Sequence, residues 1–270
     1  MIKKLTALVL CLIVSLSCIC TYAEGEEKDQ TTVPILLYHA IEENYPDEIS
    51  NLAITSALFE DHMQTLLKHG YTTITFQDYI DFKYNDKELP EKPIIITFDD
   101  GYLSNYTKAF PILKKYGMKA TIFIVASTVG KMYPEINYSH FTWEHARKMR
   151  ESGLIEIGSH TYYHNDVSQY SPEMAAMDLR LSKYLIDTNL NYNCTLLAFP
   201  YGLCTEENQQ QALDAGYELT CKVGDKGVNT KYTPITDLKR LTIYGTYTSE
   251  NLISYINNET YWELYDLNDW

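Results

Sequence analysis

The chain has 270 residues, with 22 Lys and Arg against 36 Asp and Glu, a formal net charge of −14. An acidic surface of that kind excludes nucleic acid as an expected partner, because phosphate contacts need clustered Lys and Arg. Residues 1–23 carry Lys3 and Lys4, an apolar run from Leu5 to Leu16 and the small-residue end Thr21-Tyr22-Ala23, the pattern of a secretory signal peptide. A retained membrane anchor is the weaker reading, since the run is short for a bilayer span. A lipid on Cys18 or Cys20 is weaker too, since Ser15-Leu16-Ser17 makes a poor lipoprotein box. The 247 residues that follow carry 20 basic and 36 acidic side chains, a net of −16, and their length suits one α/β barrel domain without a transmembrane span.

Glu24 to Thr32 is charged, lacks large apolar residues and reads as a flexible leader to a single domain over 33–270. Val33 to Tyr38 is a first strand ending at His39, and Ala40 to Ile54 is a polar loop. From Ser56 as N-cap, Phe59, Met63, Leu66 and Leu67 recur at helical spacing until Gly70. Tyr71 to Thr75 is a second strand and Phe76 to Tyr84 a short helix. Then Ile94-Ile95-Ile96-Thr97-Phe98 reads as a buried strand that stops at Asp99-Asp100-Gly101. Asn105 to Tyr116 is helical up to Gly117, Ala120 to Val125 is a strand, and Ser127 to Phe141 is a loop long enough to shape a groove. Thr142 caps a helix from Trp143 to Glu151, and Leu154 to Ile157 delivers the chain to Ser159-His160. Ser171 and Pro172 open a long helix to about Asn189, and Leu196 to Phe199 is the next strand. Glu206 to Ala215 is a helix, Tyr217 to Lys222 and Arg240 to Tyr244 are the last strands, and Ser249 to Asn257 is a closing helix. Such alternation implies a parallel sheet with helices outside it.

Chemistry-bearing residues fall at the strand ends, where parallel α/β proteins gather their ligands. Asp99 and Asp100 repel each other, and a cation resolves the conflict. His160 and His164, four residues apart after another strand, would complete with Asp100 a two-His, one-carboxylate metal site with open positions. Asp99 is then left as general base. It needs an arginine nearby to stay ionised, and Arg240 is the candidate, with a surface ion pair as the alternative. Tyr102 and Asn105, near the paired acids, are candidates to touch a substrate, which spacing alone does not show, while His62, His69, His140 and His145 are assigned to helix faces and loops. Cys194, Cys204 and Cys221 are an odd set, so either Cys204 pairs with one of the other two or all three are buried thiols.

Thr97-Phe98-Asp99-Asp100-Gly101 resembles the first signature of the polysaccharide deacetylases, the NodB-homology carbohydrate esterases. Ser159-His160-Thr161-Tyr162-Tyr163-His164 resembles the second signature and Phe199-Pro200-Tyr201-Gly202 the third. Leu36-Leu37-Tyr38-His39 is similar to the first strand of the subgroup with a catalytic His near its N-terminus, as in the poly-N-acetylglucosamine deacetylases of biofilms. Four motifs in order, from about Pro34 to about Ile256, are a specific signal. The chain departs from the better-known members in two places. Ala198 stands where they carry an arginine, and there is no late Leu-x-x-His.

The resemblance implies a distorted, incomplete parallel β/α barrel. It also implies a secreted or cell-surface hydrolase, acting as a monomer with one divalent ion. Zinc is the first choice of metal, with cobalt or nickel as alternatives. The substrate it implies is an acetylated polysaccharide or oligosaccharide, losing acetyl groups from N-acetylglucosamine units. By the same resemblance, the backbone N–H of Tyr201 holds the oxyanion and His39 is the acid that protonates the leaving amine. An O-acetyl esterase acting on xylan or another glycan would use the same machinery, and a silent glycan-binding protein on this fold is the non-enzymatic alternative.

Overall fold

A computed structural model describes residues 31–44, 51–132, 138–224 and 228–257, and the folded unit begins at Thr32. The expected signal peptide and the leader up to residue 30 lie outside the described residues. So do 45–50 and 133–137 of the two expected loops.

Seven parallel strands close into a barrel: β1 (Thr32–Tyr38), β3 (Pro93–Phe98), β4 (Ala120–Ile124), β5 (Ile155–Ser159), β6 (Leu196–Ala198), β7 (Leu219–Val223) and β9 (Leu238–Thr242). β1 closes the ring by pairing with β3 from Ile35↔Ile95 to Tyr38↔Phe98, and with β9 at Leu36↔Leu241. The barrel is incomplete only in having one strand fewer than the eight of a TIM barrel. Two short strands flank it, β2 (Thr72–Thr73) parallel on β3 and β8 (Val228–Thr230) antiparallel on β1. Outside lie α1 (Ser56–Lys68), α3 (Phe110–Tyr116), α4 (Trp143–Glu151), α5 (Pro172–Leu190), α6 (Glu206–Asp214) and α7 (Ser249–Ile256), while α2 (Phe76–Tyr84) follows β2. Among the described residues no helix is long and apolar enough to cross a membrane.

The pleat sorts the strands' side chains into two cores. Ile35, Ile95, Phe123, Leu219 and Leu238 pack inside the barrel with Phe76 and Tyr79 of α2. Their neighbours Leu36, Ile94, Ile96, Ile122 and Leu241 face the helices. The inward step of two, continued one residue past the strand end, sets His39 on β1, Asp99 on β3 and His160 on β5 at one rim, and within β9 it turns Arg240 inward beneath them. A one-residue slip in any of these strands would turn its functional side chain outward.

Several boundaries differ from the sequence reading. Thr55, not Ser56, caps α1: its hydroxyl accepts from Leu58 N–H at 3.1 Å, while the Ser56 N–H is taken by Glu43. The expected helix from Asn105 opens as a π-turn, Asn105–Ala109, before α3. The last two barrel strands are shifted to Leu219–Val223 and Leu238–Thr242. β8 was not anticipated; its Asn229 amide donates to the carbonyls of Val33 and Lys239, joining β1 to β9.

Gly158 of β5 faces inward against the ring of Phe123, where an added Cβ would meet ring carbons at 2.5 Å. The guanidinium of Arg240 lies over the same ring, 5.2 Å from its centroid. Gly158→Ala should therefore overpack the barrel, lowering stability by about 1–3 kcal/mol as read from the urea midpoint.

Candidate active site

Three loops meet at the rim, and each has a residue in the left-handed region. Asp100 has φ +72°, Thr161 +66°, His164 +61° and Tyr201 +58°. Only Asp86 and Asn191 share that conformation elsewhere among the described non-glycine residues. Backbone strain concentrated at one place marks a site whose geometry is imposed by its surroundings. Here the surroundings are identifiable. Asp178 of α5 accepts from the N–H groups of Tyr162 and Tyr163, at 2.6 and 3.3 Å, and so holds the loop between the two histidines. Gly202 is pressed so closely on β7 that a Cβ there would lie 2.6 Å from the Val223 nitrogen.

Asp100, His160 and His164 each bring one ligand atom to within 4.8 Å of the others. His160 Nδ1 donates to the Ala198 carbonyl at 2.8 Å, which turns its Nε2 lone pair toward Asp100 Oδ1, 3.8 Å away. Burial pushes this ring's pKa down to about 4, so it is neutral, as a metal ligand must be. His164 Nε2 lies 3.2 Å from the same oxygen without hydrogen-bond geometry, and Asp100 Oδ1 is buried with no hydrogen-bond partner. Burial raises Asp100, but His164, His39 and His160 more than offset it and hold the acid well below the usual carboxylate range. A buried, ionised oxygen without a donor beside two imidazoles is a donor set that fits a divalent cation.

Asp99 is 2% exposed and Arg240 0%. The guanidinium grips the carboxylate with both arms, Nη1 to Oδ1 at 2.6 Å and Nη2 to Oδ2 at 2.7 Å. Burial alone would raise Asp99, yet the opposing charges of Arg240, His160 and His39 bring its pKa below the ordinary value. The two bonds occupy one lone pair on each oxygen. Oδ2 also lies 3.5 Å from His160 Nε2, which places it beside the candidate metal ligands.

The remaining expected residues also reach this rim. His39 lies near enough to both acids for its charge to lower them. The Tyr201 ring, 61% exposed, meets His164 edge-on at 5.0 Å. Asn105 is enclosed and donates to the His39 carbonyl at 2.8 Å, so it stands behind the site and not in a substrate's path. Tyr102 is buried as well. His140, assigned by sequence to a loop, is 4% exposed and stacks on Tyr102 with ring centroids 5.3 Å apart, near enough to feel the Asp100 charge. Asp178 and His140 carried no motif; they were invisible because their roles depend on chain segments far away in sequence. His62 is a core residue between Tyr38 and Tyr247, and Cys194, Cys204 and Cys221 are all free.

With this geometry in view, the comparisons with known proteins are decisive on one point. Residues 86–220, half of the chain, match the polysaccharide deacetylase family. The chain belongs to that family. YxkH of Bacillus subtilis is 36% identical over 187 residues, covering 69% of this chain and 63% of that protein, so the chain spans just under two thirds of this relative. The poly-β-1,6-N-acetyl-D-glucosamine N-deacetylase of Staphylococcus epidermidis is 28% identical over 202 residues, 72% of this chain and 68% of that one. Among solved structures, the Streptococcus pyogenes deacetylase PplD in complex with acetate superposes with a TM-score of 0.74 at 27% identity, covering 84% of this chain and 98% of that one.

Two outcomes follow from these environments. Arg240→Met leaves a buried carboxylate without its counter-charge and should cost about 3–5 kcal/mol in urea unfolding. Secondly, burial holds His140 and His160 near a pKa of about 4 in the folded chain, whereas an unfolded histidine protonates near about 6.5. Across that window the unfolded state binds more protons, so stability falls as pH drops. His164, shifted upward by Asp100, works against this trend but is outnumbered. The urea midpoint of the metal-free chain should fall from about pH 6.5 to about pH 4, and His140→Gln should flatten the slope.

Proposed function

We propose that this protein is a secreted or cell-surface, divalent-metal-dependent hydrolase that removes acetyl groups from N-acetylglucosamine units of an extracellular or cell-wall polysaccharide. The observation that carries the reading is the convergence of two adjacent acids with unlike surroundings: Asp99 locked to Arg240, Asp100 turned to His160 and His164. Family membership and the likeness to poly-β-1,6-N-acetyl-D-glucosamine N-deacetylases support the choice of substrate.

A cation held by Asp100, His160 and His164 would supply Lewis acidity to the acetyl carbonyl and to a water beside it. Asp99, kept anionic by Arg240, takes the proton that water gives up as its oxygen bonds to the carbonyl carbon. The Tyr201 N–H donates to the carbonyl oxygen as negative charge grows there. Cleavage of the C–N bond needs a proton on nitrogen, because an amine anion is a very poor leaving group, and His39 delivers it. Acetate and a free amine result. The acidic surface of the chain, at −14 overall, attracts a glycan that gains positive charge with each turn.

The purified chain should take up about one equivalent of zinc, cobalt or nickel and release acetate from chitooligosaccharides, peptidoglycan or poly-β-1,6-N-acetylglucosamine. A chelator should stop release and added metal restore it. Asp99→Asn should lower turnover by about a hundredfold or more while metal affinity is kept. Full metal occupancy with no acetate from any of these glycans would overturn the proposal. Acetate from acetylxylan alone would point to the esterase reading instead.

A further inference from the structure

We infer that Asn105 is the positioning residue for His39, its side-chain oxygen accepting the Nδ1–H of that ring; this rests on the reading of His39 as proton donor. An imidazole that gives a proton from one nitrogen needs the other nitrogen tied, or the ring samples both tautomers and several orientations. His39 Nδ1 is buried and has no hydrogen-bond partner, and neither does the buried Oδ1 of Asn105. These two residues already touch, because Asn105 Nδ2 donates to the His39 carbonyl at 2.8 Å. An unmet ring nitrogen and an unmet amide oxygen thus sit on residues in direct contact, in a protein interior where such groups find partners.

The surrounding chain is built to keep them together. Ser104 Oγ accepts from the Ile41 N–H at 3.1 Å, and Lys108 Nζ reaches the carboxylates of Glu42 and Glu43 at 2.5 and 2.6 Å. One segment, 104–108, therefore fastens the loop that follows His39 at three levels. The π-turn at Asn105–Ala109 lies in this segment, and such turns recur at functional sites because the extra residue re-aims a side chain. Asn105 itself is 0% exposed, so it acts through His39 and does not contact a substrate. With Nδ1–H held by Asn105, Nε2 is the atom left to face the leaving nitrogen.

Leaving-group chemistry separates this role from a structural one. An amine needs the proton; 4-nitrophenolate does not. In the metal-loaded full chain, Asn105→Ala should lower kcat on an N-acetylglucosamine oligomer by about 10- to 100-fold, the scale of a misplaced general acid. KM, metal affinity and 4-nitrophenyl acetate turnover should change less than about twofold. His39→Ala should show the same pattern, and the double variant should be no worse than His39→Ala. Asn105→Asp, which keeps an acceptor oxygen, should retain most amide turnover. Nitrogen-15 NMR of the unaltered chain, recorded where the ring is neutral and has already given up its Nε2 proton, should show His39 as the Nδ1–H tautomer. Equal losses on amide and ester, additive losses in the double variant, or an Nε2–H tautomer would each overturn the inference. The NMR arm decides even if Asn105→Ala does not fold. Amide turnover untouched in His39→Ala would instead remove the proton-donor reading, a separate outcome.

Discussion

The contact on which the site depends is the two-armed ion pair between Asp99 and Arg240, at 2.6 and 2.7 Å and almost wholly out of water. A pair buried this deeply is a poor device for stability, since the desolvation of both charges offsets most of their attraction. Its value lies in specification. Arg240 comes from the last barrel strand and Asp99 from the end of β3, so the pair can form only when the ring has closed in register. It also gives the two acids different partners. Asp99 is neutralised in place and fixed as an anion, whereas Asp100, one residue on, turns through a left-handed backbone toward the histidines. Two carboxylates that would otherwise repel are thus set in different surroundings.

Much of this was legible in the chain. The acids, His160 and the Pro-Tyr turn sit at ends of apolar runs, and the two-residue period of a strand carries Asp99 and His160 inward, whereas Asp100, His164 and Tyr201 lie in left-handed backbone beyond the strand ends. Arg240 was one of two readings, the other a surface ion pair, and only the structure shows it buried against Asp99. What the sequence hid were contacts between distant segments. The π-turn at Asn105 has the same apolar spacing as an α-helix, so periodicity does not reveal it. Asp178 reads as one more polar residue on an amphipathic helix, although its carboxylate meets two loop N–H groups. β8 is three residues long and depends on the Asn229 amide for its place, which no propensity registers. The shift of α1's cap from Ser56 to Thr55 has a similar origin. With two hydroxyl residues in a row, the tie was broken by Glu43, a residue from the preceding loop.

The distribution of unmet polar atoms ties fold to chemistry. Among the described residues the buried side-chain atoms without a partner belong to His39, Asp100, Asn105, His140 and Arg240, all around the rim or directly beneath it. Lower in the barrel the rule of satisfied polar groups holds: Glu156 accepts from both Thr121 and the N-terminal N–H of α2, and Thr97 donates to the Leu36 carbonyl. The barrel floor is thus a finished apolar and hydrogen-bonded core, and frustration is confined to its open end. That division follows from the architecture. Strands fix the positions of inward side chains to within the pleat, so a rigid lower half can hold an upper half whose polar groups do not satisfy one another. The left-handed residues at the rim fit the same account. The Ala126 N–H and the Ser182 hydroxyl donate to the Thr161 carbonyl, and Asp178 accepts from the two N–H groups between Thr161 and His164, so the strain in that loop is held by the elements around it.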